Sequence, residues 1–327
     1  MQIAMIGLGR MGQNMAKRLI EGGHQIVGYD SSDEARNEMA KAGASIANSL
    51  AEISTMLSAP RVAWIMVPQG EALDSVVAEL AKHFSSGDII IDGGNSYFLE
   101  SIAHHNKLKQ QGISFVDIGV SGGIFGLERG FCLMVGGDYH IAQYLEPIFI
   151  TLSPGEKSAP KTLGRVSNSN ADQGFLYCGK SGSGHYVKMI HNAIEYGIMQ
   201  SYAEGFELLH NAKLEVLPED QRYDFDVKDI AEVWRRGSVI SSWLLDLLAN
   251  ALSKDEELKN FLGIVPDSGE GRWALIEAIK QGSPTPNLAD SLFTRFRSRQ
   301  HKPFSERVLS ALRKEFGGHK EGLKSSD

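Results

Sequence analysis

The stretch Gln2–Asp30, QIAMIGLGRMGQNMAKRLIEGGHQIVGYD, decides how the first half of the chain folds. Gln2–Ile6 is a short apolar run ended by glycine, which reads as a buried strand. Gly7-Leu8-Gly9-Arg10-Met11-Gly12 follows, then a helical run through Ile20, then a second strand, His24–Tyr29, that ends at Asp30. Gly7 permits the tight turn, Gly9 lets the backbone approach a pyrophosphate, and Gly12 lets the helix pack close to the sheet. The helix N-terminus offers unpaired N–H groups and the positive end of a dipole to phosphate. Asp30 lies 18 residues beyond Gly12, near the spacing at which a carboxylate takes a ribose 2′-hydroxyl. Alone, G-x-G-x-x-G says little. Set between a strand and a helix, with the acid in place, it predicts a dinucleotide site of Rossmann type. The competing reading is a Rossmann domain that has lost its cofactor.

Asp30 would repel a 2′-phosphate, and Ser31-Ser32-Asp33 offer no arginine to hold one, so NAD is favoured over NADP. Arg36 and Arg10 are the nearby cations that could contact such a phosphate, and they leave NADP open.

Strand and helix go on alternating. Ala44–Ile46, Arg61–Val67, Asp88–Asp92, Ser114–Asp117 and Phe131–Val135 read as strands, with a helix from about Glu71 to His83. Ligands in open α/β sheets collect at the carboxyl ends of the strands. Val67-Pro68, Asn95 and Ser121-Gly122-Gly123 stand at such ends and would line one cleft, although Gly, Asn and Ser there also suit plain turns. His104-His105 has no acidic or cysteine partner at ligand spacing and reads as an exposed helix face. No metal site is expected.

Ser153–Gln173 is rich in Ser, Pro, Gly and Asn and reads as a long loop. After Gly179 the signals are helical: 184–211, 226–236, 238–253, 255–261, 271–281, 286–301 and 303–316. Asp255-Glu256-Glu257 would form a helix N-terminal turn. The expected architecture is an α/β Rossmann-type domain over 1–178 followed by an all-helical domain over 179–327. At their junction lies Gly179–Gln200, GKSGSGHYVKMIHNAIEYGIMQ. Its Lys188, His191, Asn192 and Glu195 share one helix face, while Val187, Ile190, Ile194 and Ile198 occupy others. Such a stripe can simply face water. Flanked by apolar faces, with an acid and a base around two hydrogen-bonding groups, it suits proton transfer.

Net charge is −7 with no long basic run, which argues against nucleic acid or an anionic membrane as partner. No apolar run approaches the ~18 residues of a membrane span, and the N-terminus lacks a signal peptide's basic region. A cytoplasmic enzyme or binding protein is the expectation. Cys132 and Cys178 make no disulfide framework and read as small core residues.

GLGRMG, the VSGG of 120–123 and the run from Gly179 to Asn192 together resemble the β-hydroxyacid dehydrogenases. KMIHNAIEYGIMQ at 188–200, with IDGGNS at 91–96, resembles the 6-phosphogluconate dehydrogenase family in particular, in its short, NAD-preferring form. The resemblance runs from Ile3 to His319. It implies oxidative decarboxylation of 6-phosphogluconate to ribulose 5-phosphate in the pentose phosphate pathway. Lys188 would be general base and then acid, and Glu195 the second acid. Ser121, Gly122 and Gly123 would bind the substrate's carboxylate end, with His191 and Asn192 as further ligands. Asn95 would touch both nicotinamide and substrate. Tyr196, Arg272, Arg295, Arg313 and His319 would serve the phosphate, the last two from a tail reaching a neighbouring subunit in a homodimer or homotetramer. Arg272 stands where the family has lysine, and the shortened helical domain leaves the tail's path open. Two rival readings remain: a β-hydroxyacid dehydrogenase for an unphosphorylated acid, and a non-catalytic dinucleotide-binding protein.

Overall fold

The computed structural model describes residues 1–317, so His319 lies outside the described residues. The chain divides into two compact units, Met1–Asn192 and Ala193–Asp327. The division falls inside a helix, beyond the 178/179 boundary that the composition suggests.

The first unit alternates β1 (Gln2–Ile6), α1 (Arg10–Glu21), β2 (Gln25–Tyr29), α2 (Asp33–Lys41), β3 (Ser45–Ile46), α3 (Leu50–Met56), β4 (Val62–Ile65) and α4 (Glu71–His83). It continues with β5 (Ile89–Asp92), α5 (Phe98–Lys109), β6 (Ser114–Ser121), α6 (Gly126–Arg129), β7 (Cys132–Gly136), α7 (Tyr139–Tyr144), α8 (Glu146–Leu152) and β8 (Phe175–Gly179). The strands form one sheet in the order β3-β2-β1-β4-β5-β6-β7-β8. All neighbours are parallel except β6 and β7. The first six strands follow the Rossmann order. Side chains alternate across the sheet: Ile3 and Met5 join one core with Met15, Trp64 and Phe149, while Ala4 and Ile6 join the other with Val77, Leu80 and Phe115. A sheet covered on both faces explains why its strands read as continuous apolar runs.

Several readings change. β8 (Phe175–Gly179) falls between the loop read over 153–173 and the helical run, where no element is expected. β6 runs on to Ser121, because its last residues pair with Cys132–Val135 of β7. Neither cysteine is in the core: Cys132 is exposed at the start of β7 and Cys178 is half-buried. His104 is no exposed face either, since its Nε2 meets Asp74 at 3.0 Å and its ring packs on Phe115.

The long helix α9 (Ser183–His210) begins in the first unit and ends in the second. The second unit adds α10 (Val227–Arg235), α11 (Trp243–Lys254), α12 (Glu270–Gln281), α13 (Pro286–Ser298) and α14 (Phe304–Gly317). Val227 and Ala231 of α10 pack on Ala249 and Leu252 of α11, with Phe206 and Leu209 from the end of α9. Residues 255–261 are not a helix. Asp255 ends α11, and its carboxylate takes both the backbone and side-chain N–H groups of Asn260, which closes a turn. Among the described residues no helix is long and apolar enough to cross a membrane.

Candidate active site

The dinucleotide cradle forms as the spacing requires. Gly7 has φ +91°, and a Cβ there would lie 2.8 Å from the Met66 carbonyl oxygen. A Cβ on Gly12 would lie 2.0 Å from the carbonyl oxygen of Gly7, so the first turn of α1 passes directly over the loop. A Cβ on Gly9, by contrast, would meet nothing within 4 Å. Gly9 is also the N-cap of α1 and supplies no side-chain acceptor to the helix's first N–H groups. Open space before an uncapped helix N-terminus fits a pyrophosphate. Arg10 is exposed and Met11 half-buried in that first turn.

Asp30 follows directly on β2. Its Oδ2 accepts the Leu8 N–H at 2.6 Å and its Oδ1 accepts the Ser32 N–H at 2.8 Å. The carboxylate thus anchors the glycine loop to the end of β2. Leu8 itself points into the core. Arg36 donates to the Asp30 carbonyl and pairs with Asp33, which occupies the cation most suited to a 2′-phosphate. Val67 is half-buried after β4, and Pro68 and Asn95 are exposed after β4 and β5.

Ser121 closes β6. Gly122 (φ +144°) and Gly123 (φ +56°) need the freedom of glycine to turn the chain into the next helical turn, and a Cβ on Gly123 would face open space. The Ser121 hydroxyl lies 3.3 Å from His191 Nε2, and His191 Nδ1 lies 2.9 Å from Asn192 Oδ1. Ser121, His191 and Asn192 are therefore one hydrogen-bonded row, although 70 residues separate the first two.

The start of α9 is held to the sheet by Asp117, which the sequence did not single out. This buried carboxylate accepts the Gly182 N–H at 2.6 Å and the His185 N–H at 3.0 Å. Glycines on both sides make the approach: a Cβ on Gly119 would lie 2.3 Å from Lys188 Cβ, and one on Gly184 would lie 2.4 Å from the Asp117 carbonyl oxygen. Lys188 and Asn192 are buried. The apolar positions Val187, Ile194 and Ile198 are 41%, 50% and 40% exposed. α9 thus turns Lys188 and Asn192 inward and Val187, Ile194 and Ile198 outward, with Ile190, His191 and Glu195 half-buried, which is not the pattern of a water-facing charged stripe.

In the second unit, Tyr196 is buried and Glu195 half-buried. The Tyr196 hydroxyl lies 3.2 Å from Ser268 Oγ and accepts the Ser268 N–H at 3.2 Å. The Arg295 guanidinium lies 3.5 Å from the centre of the Tyr196 ring and donates to the Pro266 carbonyl oxygen at 2.9 Å. Arg272 makes a two-pronged pair with Asp267, at 2.7 and 3.1 Å. Of the residues expected at a phosphate, Tyr196, Arg272 and Arg295 meet on residues 266–268. Arg313 is exposed on α14. Arg272, with a second arginine, holds the Asp267 carboxyl down to about 2. A depressed carboxyl stabilises the fold above its ordinary value of 3.8 and loses that contribution only as pH falls through about 2, so the pair persists throughout the neutral range. Among the described residues no three of His, Cys, Asp and Glu gather as metal ligands.

Comparison with known proteins identifies the family. Residues 2–159 match the model for the NAD binding domain of 6-phosphogluconate dehydrogenase, and residues 184–217 and 201–266 match the model for its C-terminal domain. A Bacillus subtilis protein provisionally named as a 6-phosphogluconate dehydrogenase is 41% identical, over 98% of both chains. The NAD(+)-dependent, decarboxylating 6-phosphogluconate dehydrogenase of Haloferax volcanii is 38% identical, again over 98% of both. The Plasmodium falciparum 6-phosphogluconate dehydrogenase structure superposes with a TM-score of 0.75 at 27% identity, covering 100% of this chain and 67% of that longer one. Matched nearly end to end by two relatives of its own length, the chain belongs to the 6-phosphogluconate dehydrogenase family.

Proposed function

We propose that this protein oxidatively decarboxylates 6-phosphogluconate to ribulose 5-phosphate and CO2, with NAD as oxidant. The observation that carries the reading is the inward polar stripe of α9, where buried Lys188 and Asn192 share a face with His191 and Glu195. Bound NAD supplies the hydride acceptor for C3 of the substrate, held by the Gly7–Gly12 turn, the N-terminus of α1 and Asp30. Neutral Lys188 takes the proton of the 3-hydroxyl through Nζ as C3 is oxidised. The resulting 3-keto acid loses its carboxylate as CO2, while the Lys188 ammonium donates a hydrogen bond to the oxygen on which charge develops. Glu195 then delivers a proton to C1 of the enediol. Lys188 and Glu195 are separated by about 10 Å along the helix axis, at 1.5 Å per residue. Ser121, His191 and Asn192 would orient its carboxylate end, and Tyr196, Arg272 and Arg295 its phosphate. Those cations disfavour an unphosphorylated hydroxy acid as substrate.

The test is absorbance at 340 nm from purified protein with 6-phosphogluconate and either cofactor. Fast reduction of NAD and slow reduction of NADP is the expected result. A faster rate with NADP would overturn the role given to Asp30. No rate with either would favour an unphosphorylated acid, and then a non-catalytic dinucleotide-binding protein.

We also infer a homo-oligomer. The exposed Val187, Ile194 and Ile198 stripe on α9 suits burial against a second copy, and Arg313, exposed on α14, would serve that copy's phosphate site. Light scattering that returned the mass of one chain would remove this inference.

A further inference from the structure

We propose that Arg299 is an additional phosphate-binding arginine of the substrate site, and that Asp267 is the positioning residue that sets Arg272 and Arg299 side by side. This rests on the reading of the substrate as 6-phosphogluconate. Three consecutive residues just ahead of α12 gather the whole cluster. The Pro266 carbonyl takes Arg295, the Asp267 carboxylate takes Arg272 and Arg299, and Ser268 takes the Tyr196 hydroxyl. Asp267 Oδ2 lies 2.9 Å from an Arg299 guanidinium nitrogen and 3.1 Å from one of Arg272. The Phe296 ring backs both guanidinium groups, at 4.4 Å from Arg272 and 5.3 Å from Arg299.

Exposure shows which way the cluster works. The Asp267 side chain is 4% exposed, whereas those of Arg272 and Arg299 are 51% and 32% exposed. The anion lies inside and the cations keep an outer edge. Each guanidinium carries five N–H donors, so a single carboxylate leaves donors over on both. Two guanidinium groups share the one Asp267 carboxylate, so the pair of arginines stays net positive toward a phosphate. The N-terminus of α12, with Gly269 as its N-cap, adds the positive end of the helix dipole to the same segment. Holding both arginines in place before the substrate arrives reduces the ordering cost of binding. Arg297, two residues earlier, is paired with Glu306 instead and serves as the control.

The experiment uses the full chain in steady-state assays with 6-phosphogluconate and NAD, and inorganic phosphate as competing inhibitor. Arg299→Ala is expected to raise both the KM for 6-phosphogluconate and the Ki of inorganic phosphate about tenfold or more, with kcat and the KM for NAD within about threefold. Arg299→Lys should fall between wild type and alanine, keeping charge and losing the fork. Arg297→Ala should change neither constant. Asp267→Asn should raise the KM for 6-phosphogluconate with kcat held, because orientation is lost although an anion has been removed. If Arg299→Ala left KM unchanged, or raised it without moving the Ki of phosphate, Arg299 would not touch the phosphate. If Asp267→Asn lowered or preserved KM, Asp267 would merely repel substrate or do nothing, and its positioning role would fall. If the wild type did not turn over 6-phosphogluconate at all, the proposed function itself would have failed. Calorimetric binding of inorganic phosphate to wild type and Arg299→Ala would then still decide the clamp.

Discussion

Lys188→Ala is expected to lower kcat for 6-phosphogluconate by about 10²–10⁴-fold, the range for loss of a positioned acid–base group. The nicotinamide cofactor should bind as before, because the cradle is built by β1, α1 and β2, and Lys188 belongs to α9. Lys188 is buried on the face of α9 that meets β6, at the place where the missing Cβ of Gly119 admits its stem. Lys188→Arg separates charge from proton transfer. Arginine keeps the cation and cannot give up its proton near neutral pH, so it should be inactive as well. Substrate binding by calorimetry and turnover at 340 nm together decide the matter. Near-normal kcat in the alanine variant would take the general base away from Lys188. Turnover retained by arginine would leave it an electrostatic role alone.

Asp117→Ala should destabilise the protein by about 2–6 kcal/mol. It strands two buried N–H groups, those of Gly182 and His185, at about 1–3 kcal/mol each. The loss should also reach catalysis, since the turn that Asp117 holds leads directly into Lys188. Asp117→Asn retains one acceptor and should lie between the two. Urea unfolding midpoints measure the effect. A midpoint equal to the wild type's would show that water replaces the carboxylate, and that the start of α9 is held by packing alone.

Much of this was legible in the sequence because it is local. The glycine loop, its acid and the α9 stripe each depend on residues close together in the chain, where turn geometry and helical period act directly. The failures have a common origin in distant partners. Phe175–Gly179 becomes a strand only because β7 offers an edge to pair with. Helical period groups Lys188, His191, Asn192 and Glu195 on one face but is silent on which face turns inward, and Asp117 and Gly119 of a remote strand settle that. Asp255 carries the acidic signature of a helix start, yet it ends α11 because Asn260 supplies donors to its carboxylate. Asp267 carries no motif. Its meaning comes from Arg272, five residues on, and from Arg299 at the end of the next helix.

The division of the chain within α9 bears on how such a protein can be rebuilt by recombination. Exchanging the cofactor half of one relative for that of another is the obvious route to a new coenzyme preference. A crossover at the end of β8 would give α9 to the wrong parent: its first turns must fit the carboxylate of Asp117 and the bare backbone of Gly119 and Gly136. A crossover after Asn192 keeps those fits but divides the polar row of α9 between two ancestries, with Lys188 from one and Glu195 from the other. The helix therefore has to be inherited whole together with the strands it rests on, and the smallest transferable block is larger than the nucleotide fold itself.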